Sequence, residues 1–488
     1  MKVKKQYPYD FKTIFGISIQ GLISVAGAAL MSSMFMVYLT DYSGIGAWGA
    51  VLATTVLFVG RIFDAVNDPI QGWIMDNYKG GKWGKYKPFV FASVIGSTVA
   101  LIFLYNLPDS FAKIPLLAGI WVFFFYFAFD VATSFNAFIP FTRSITDDDV
   151  LRSKFFTVSR IVGTCGAIPL GMITTIALAV GDKLGGIKNA IGILTVAMLI
   201  PVGAISLVGV ACVKEGKHRE EGENHERIKF RDIGRMLTQN KAMLTHVLAS
   251  LFSGFMWTLM TTVEIYYLKW AYCADLTTGA VDNGKLAMLT IVLGMASIVP
   301  ILFATPFSPI LIKKLGSNIK VQILSIGLSA IPCALITVFQ YMGILQKNLP
   351  LFLVLVFAGG MISGLGYVPA TGIWAECIDY NRYKTGKEMG ALVQAVRGIL
   401  EKGQSALAGG IVGSLLIAIG YSVDAKTGDY LGNLSKMPGI LNNFGVIMGI
   451  IPAVLAVVAV IVYKKMWPIT PEIKQAMKEQ FEKDQEER

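Results

Sequence analysis

The stretch RIFDAVNDP, from Arg61 to Pro69, places charged side chains inside an apolar segment long enough to cross a membrane. On an α-helix, Arg61, Asp64 and Asp68 follow one another at spacings of three and four residues, so their side chains share one face with Asn67. Each ionised side chain at the middle of a bilayer costs about 2.5–3.5 kcal/mol on insertion scales. The cluster is therefore predicted to face protein or water and to have a function.

Composition indicates a polytopic membrane protein. Of the 488 residues, 54% are hydrophobic and 15% are charged, whereas soluble domains average roughly 45–50% apolar and about 25% charged residues. Because a helix needs about 20 residues to cross a bilayer, the apolar runs predict an all-α fold with twelve transmembrane helices. The predicted spans are residues 13–40, 47–77, 88–107, 113–141, 155–180, 187–213, 243–272, 283–313, 319–342, 349–377, 390–420 and 439–464.

The net charge of +11 follows from membrane topology. Basic residues gather in alternate loops, including residues 79–87 and 382–387, whereas residues 41–49 and 273–285 carry few. The positive-inside rule then predicts a multi-pass protein of the plasma (inner) membrane with both termini in the cytoplasm. This distribution argues against a nucleic-acid partner.

A polar stretch divides six predicted spans from six. The expected domains are an N-terminal half (1–213), a cytoplasmic middle loop (214–242), a C-terminal half (243–466) and a cytoplasmic tail (467–488). Two six-helix halves are the plan of the major facilitator superfamily. The five cysteines lack CxxC spacing and the three histidines lack an HExxH pattern, so no disulfide framework, metal centre or resident cofactor is expected.

Oxygen atoms dominate the cluster on the second span. Pro69 cannot donate a backbone hydrogen bond, which frees the carbonyl of Ala65 one turn earlier. That carbonyl, two carboxylates and an amide are hard ligands suited to Na⁺ or Li⁺, and the carboxylates could instead carry a proton. The alternative is an ion pair of Arg61 with Asp64 or Asp68 that only holds this helix to a neighbour, although one arginine cannot neutralise both acids.

Three stretches resemble the glycoside-pentoside-hexuronide:cation symporters of the major facilitator superfamily. They are RIFDAVNDPIQGWIMD at residues 61–76, KWGKYKPF at 82–89 and AECIDYNRYKTGK at 375–387. The resemblance implies a carrier, not an enzyme, that imports a sugar or glycoside with Na⁺, Li⁺ or H⁺ by alternating access. It assigns binding of the coupling cation to Asp64, Asn67 and Asp68. If the carrier is sodium-coupled, that cation is Na⁺.

The resemblance also implies positions for substrate binding and coupling. Lys402 matches a family lysine that links the sugar and cation sites, and Arg61 is expected to balance and orient the acids. The substrate-binding candidates are Asp130, Asn136, Arg160, Trp257, Glu264, Arg397 and Lys402. Of these, Trp257 and Glu264 are selected for their side-chain chemistry, and Arg397 is an addition to the family pattern.

Several of these positions leave alternatives open. Val25 stands where the family has a sugar-binding aspartate, so a galactoside is in doubt. On the fourth span, one alignment register selects Asp130, and another puts Phe138 in that place with Asn136 nearby. Trp257 and Glu264 are also of types common at helix interfaces.

The eleventh span carries a further open choice. Arg397 and Glu401 could satisfy each other as a pair spaced four residues apart. Alternatively, Arg397 could contact an acidic substrate such as a hexuronide.

Other functional classes remain as rivals. An integral-membrane enzyme could use the aspartates of the second span with Mg²⁺, a facilitator could carry sugar without a cation, and a channel could conduct passively. The expected partners are a small sugar or glycoside, the coupling cation and membrane lipid, and a monomer is expected. From charge position, Asp76 is predicted to form a latch with the basic loop that contains Lys82, Lys85 and Lys87.

Overall fold

The computed structural model describes residues 11–46, 48–146, 148–215, 230–387, 389–421 and 432–486. These ranges are almost entirely helical. The helices are α1 (Phe11–Gln20), α2 (Leu22–Val37), α3 (Trp48–Asn77), α4 (Lys87–Leu104), α5 (Asp109–Ala112), α6 (Pro115–Ser134), α7 (Phe138–Arg143), α8 (Asp149–Gly171), α9 (Ile173–Val180), α10 (Ile187–Cys212), α11 (Phe230–Gln239), α12 (Lys241–Leu268), α13 (Asn283–Ala304), α14 (Ser308–Leu315), α15 (Asn318–Tyr341), α16 (Leu349–Thr385), α17 (Gly390–Ala418), α18 (Met437–Gly445), α19 (Ile451–Met466) and α20 (Pro471–Glu486).

Within the described ranges, twelve long helical segments correspond to the predicted spans. In the described part of the chain, nine are long and apolar enough to cross a membrane by length and composition. The other three are α3, α8 and α17, which contain 30, 23 and 29 residues and carry most of the charged candidate residues. The all-α, twelve-helix prediction is confirmed.

Some helix ends differ from the prediction. The fourth span is interrupted at residues 135–137, between α6 and α7, and the fifth is divided near Met172. Pro169 lies just before that division, and a proline removes one backbone donor from a helix. The tenth span continues as α16 to Thr385, because hydropathy marks the membrane region whereas a helix can extend into water.

The chain divides into two compact units. One comprises the described parts of Met1–Gly234, Asn381–Ile399 and Gln485–Arg488, and the other comprises those of Arg235–Tyr380 and Leu400–Asp484. The boundary passes through α16 and α17. The four predicted domains remain predictions, and residues 216–229 of the middle loop lie outside the described ranges.

Side-chain caps fix several helix starts. The carboxylate of Asp148 accepts the N–H groups of Val150 and Leu151 at the start of α8. Asn240 and Asp282 cap α12 and α13 in the same way. Such caps satisfy backbone donors that the first helical turn leaves unpaired.

In the first unit, α4 and α10 are joined by a reciprocal pair of caps. Glu215 accepts the backbone N–H groups of Tyr86 and Lys87 at distances of 3.0–3.1 Å, at the start of α4. Lys87 in turn donates its Nζ protons to the carbonyls of Ala211 and Val213, at 3.2 and 2.8 Å, at the end of α10. A carboxylate at a helix N-terminus and an ammonium at a C-terminus both complement the helix dipole.

In the second unit, a π-helical turn, Val446–Ile450, lies between α18 and α19. The hydroxyl of Thr337 on α15 donates to the carbonyl of Gly445 at 2.7 Å and accepts the N–H of Ile450 at 2.8 Å. This one side chain satisfies two backbone groups at the turn. A Cβ atom on Gly449 would lie 2.1 Å from that hydroxyl, so the contact requires glycine.

Candidate functional site

The two candidate cation-binding acids of α3, Asp64 and Asp68, are buried. Asp64 is 4% exposed and Asp68 is 6% exposed, and Pro69 lies inside the helix directly after them. The two carboxylates are separated by one helical turn, as the sequence predicted. The side chain of Arg61 lies outside the described part of the chain, so its balancing role stays a prediction.

A hydroxyl joins Asp68 to α6. The Oγ atom of Ser134 lies 2.5 Å from Oδ1 of Asp68 and 3.0 Å from the backbone carbonyl of Asp130. Asp130 itself is buried, one turn before Ser134. The candidate cation site on α3 is thus linked directly to the helix that carries a candidate sugar ligand.

An amide pair extends the site along α3. Nε2 of Gln71 donates to Oδ1 of Asn67 at 2.9 Å, which orients that oxygen. Nδ2 of Asn67 and Oε1 of Gln71 are buried and make no hydrogen bond within the described residues. Because an amide oxygen has two lone pairs, Oδ1 of Asn67 can still serve as a cation ligand.

The first turns of α17 pack closely on α3. A Cβ atom on Gly398 would lie 3.3 Å from Oδ2 of Asp68, and one on Gly72 would lie 2.9 Å from the carbonyl of Ala391. Arg397 precedes Gly398 and is half-buried. Glycine therefore lets the backbone of α17 approach the Asp68 carboxylate.

Asp76 caps the N-terminus of α17. Its fully buried carboxylate accepts the N–H groups of Ala391 at 2.9 Å and Leu392 at 2.8 Å, and the hydroxyl of Tyr86 lies 3.3 Å away. The sequence predicted a latch between Asp76 and the basic loop, and it did not predict the backbone N–H groups of α17 as partners of Asp76. Backbone N–H groups have no sequence signature, so this partner of Asp76 could not be identified from residue types. The glycine at the start of α17 was the one available indication of the contact.

The other candidates of the first unit lie on several helices. Asn136, between α6 and α7, donates to the hydroxyl of Ser24 on α2 at 2.9 Å. Arg160 is half-buried on α8. The structure thus connects Asn136 to α2, which also carries Val25.

Two candidates lie on α12 of the second unit. Trp257 packs against a buried apolar cluster of Met260, Cys333 and Ala453. Glu264 is 2% exposed and faces the protein interior. Both residues pack inside the second unit, and their substrate roles stay predictions.

Lys402 belongs to the second unit, where it is half-buried on α17. Its pairing with the acids of α3 therefore stays a prediction, as does the pairing of Arg397 with Glu401.

The donor set on α3 has a clear chemical preference. Two carboxylates, an amide oxygen and a nearby hydroxyl are hard oxygen donors, which suit alkali cations or a proton better than soft transition metals. Within the described ranges, no group of three or more His, Cys, Asp or Glu residues could hold a metal ion.

Comparison with known proteins identifies the family of the chain. The family model described as "MFS/sugar transport protein" matches residues 19–470. The uncharacterized symporter YnaJ of Bacillus subtilis is 25% identical over 89% of the chain and 86% of that protein. A lactose permease of Leuconostoc lactis is 24% identical over 90% of the chain, which spans 66% of that permease.

A solved structure shows the same fold. The proton:xylose symporter XylE, of the major facilitator superfamily, superimposes with a TM-score of 0.62 at 12% identity, covering 94% of this chain and 96% of that one.

Proposed function

Because the chain belongs to the MFS/sugar transport family, and so is a multi-pass membrane transporter and not an enzyme, we propose that it is a symporter that imports a sugar or glycoside together with Na⁺, Li⁺ or H⁺. The family confirms the resemblance to glycoside-pentoside-hexuronide symporters. In this proposal Asp64, Asn67 and Asp68 bind the coupling cation.

The buried acid pair carries the proposal. Two carboxylates one turn apart repel each other when both are ionised, and burial weakens the screening by water. Asp64 and Asp68 are both almost fully buried. A bound monovalent cation or proton removes much of this cost, so cation occupancy changes the stability of the packed α3 region.

Ser134 supplies a route from the cation to the sugar. It contacts Asp68 on one side and the backbone of Asp130 on the other. A cation that draws Asp68 away from Ser134 would change the last turn of α6, which carries the sugar candidate Asp130. It would also affect the segment directly after α6, which carries the sugar candidate Asn136. Arg160 on α8 would add a guanidinium donor for sugar hydroxyls or a carboxylate.

The helix α17 is proposed to respond to the same event. Its first turns contact Asp68 through Gly398 and are capped by Asp76. The same helix carries Arg397 and Lys402. Neutralisation of Asp68 would therefore act on the helix that carries candidate substrate ligands. Coupling requires such an effect of the bound cation on the substrate site.

Uptake into sealed vesicles tests the proposal. Proteoliposomes that contain the full chain would receive radiolabelled lactose, methyl β-xyloside or glucuronate under an inward gradient of Na⁺, Li⁺ or H⁺. A symporter concentrates at least one unmodified sugar only with a cation gradient. Uptake that stops at equal concentrations would indicate a facilitator or channel, and a chemically altered sugar would indicate an enzyme.

A further inference from the structure

Glu264 is a buried acid that the proposed cation site does not use. It lies inside the apolar segment Lys241–Cys273, which is long enough to cross a membrane, and it is 2% exposed. Among the described residues, its Oε1 atom has no hydrogen-bond partner. An intramembrane acid in such surroundings is expensive to keep ionised and is usually functional.

Its neighbours on α12 define what it faces. Met260, one turn before Glu264, contacts Cys333 of α15 with a sulfur–sulfur distance of 3.8 Å. Tyr267, one turn after it, donates its hydroxyl to Gln340 of α15 at 2.5 Å. Since residues at these spacings share a helix face, Glu264 faces α15 between Cys333 and Gln340.

That position on α15 is occupied by Ile336 and Thr337. Thr337 is the residue whose hydroxyl holds the π-helical turn Val446–Ile450, and this turn also packs against α12. Turns of this kind are frequent at functional sites. The Glu264 carboxyl is therefore buried at a junction of three helical segments, one of which is irregular.

Charged and titratable groups on the elements around α12 lie mostly at their ends. Beside Glu264, the titratable group of α15 is Cys333, and the titratable group one turn further along α12 is Tyr267. The remaining groups are Lys241, His246 and Tyr266 on α12, Lys269, Tyr272 and Cys273 directly after it, Lys285 on α13, Lys320 and Tyr341 on α15, Glu401 and Lys402 on α17, and Tyr463, Lys464 and Lys465 on α19. The ammonium of Lys269 lies over the ring of Trp270, 5.4 Å from its centroid.

We infer that Glu264 is a proton-binding site, separate from the acids of α3, and that its proton must be in place for α12 to pack against α15 and the π-helical turn. Loss of the proton to water leaves a carboxylate that favours separation of these segments. Sugar transport is then inhibited at alkaline pH. The transport part of this inference rests on the proposed function, whereas the protonation itself does not.

Infrared spectroscopy of the full chain in phosphatidylcholine nanodiscs tests the protonation directly. The carbonyl stretch of a protonated carboxyl is followed through a pH titration in the wild type, in Glu264→Gln and in the control Glu479→Gln, which changes an exposed acid of α20. We expect a band at neutral pH that is absent only in Glu264→Gln. An unchanged band in Glu264→Gln would overturn the inference.

The second measurement is the pH profile of uptake with the sugar found in the vesicle experiment. Glutamine resembles the protonated acid, so Glu264→Gln should lose the alkaline inhibition that the wild type and Glu479→Gln retain. Equal alkaline inhibition in all three proteins would contradict the regulatory role. If the wild type takes up no sugar, the proposed function fails while the infrared result still decides the protonation site.

Discussion

Replacing Asp76 with asparagine tests the connection between α3 and α17. The buried carboxylate accepts two backbone N–H groups, from Ala391 and Leu392, at 2.9 and 2.8 Å. Asparagine keeps one acceptor oxygen but presents an NH₂ group to the second donor. One charge-assisted hydrogen bond is lost, and a buried N–H is left without an acceptor.

The expected magnitude follows from these two contacts. Hydrogen bonds to charged groups contribute about 1.5–3 kcal/mol, and an unsatisfied buried donor costs about 1–3 kcal/mol. We expect Asp76→Asn to destabilise the start of α17 by about 3 kcal/mol, which increases local opening on the order of 100-fold.

Hydrogen–deuterium exchange of a peptide covering residues 389–395 measures this opening. Asp148→Asn is the matched control, because Asp148 also accepts two backbone N–H groups, at 2.8 and 3.4 Å, but is exposed. It should leave exchange at residues 389–395 unchanged. If Asp76→Asn also leaves the exchange of Ala391 and Leu392 unchanged, the cap does not stabilise α17 and the reasoning is refuted.

Three further predictions concern single contacts. Ser134→Ala should weaken the apparent cation affinity of uptake about tenfold by removing one hydrogen bond to Asp68. The control Thr133→Ala removes a hydroxyl that donates to the Asp130 carbonyl and should leave the affinity unchanged. Gly449→Ala should lower thermal stability by about 1–3 kcal/mol through overpacking against Thr337, and Gly439→Ala, with nothing within 4 Å of the new Cβ, should not. The Lys188 ammonium donates a hydrogen bond to Asp109 and lowers the pKa of that carboxyl, so the resulting stabilisation is present above the ordinary pKa and is lost as pH falls through the lowered one. Lys188→Gln should therefore show a smaller loss of melting temperature than the wild type between about pH 6 and about pH 3.

The sequence predicted the features that depend on local pattern. Apolar run length located the twelve spans, and residue spacing placed Asp64 and Asp68 on one face of α3. These predictions succeed because helix periodicity and bilayer thickness act on neighbouring residues. The breaks after Ser134 and near Met172 were missed, since hydropathy does not record backbone geometry.

Contacts between distant segments could not be predicted in this way. Asp76 and Leu392 are 316 residues apart in sequence, and the partner of Asp76 is backbone. Ser134 and Gly398 were also missed, because a serine and a glycine in apolar helices usually serve packing. The two acids could thus be selected from the sequence, whereas the groups around them could be identified only from the fold.

The central claim is that Asp64 and Asp68 couple a cation to sugar movement, and Asp68→Asn tests it most directly. Two readouts are compared in the same proteoliposomes: accumulation driven by a cation gradient, and exchange of labelled for unlabelled sugar without a gradient. We predict that Asp68→Asn abolishes accumulation while exchange partly persists. Full cation-driven accumulation by this variant would contradict the assignment.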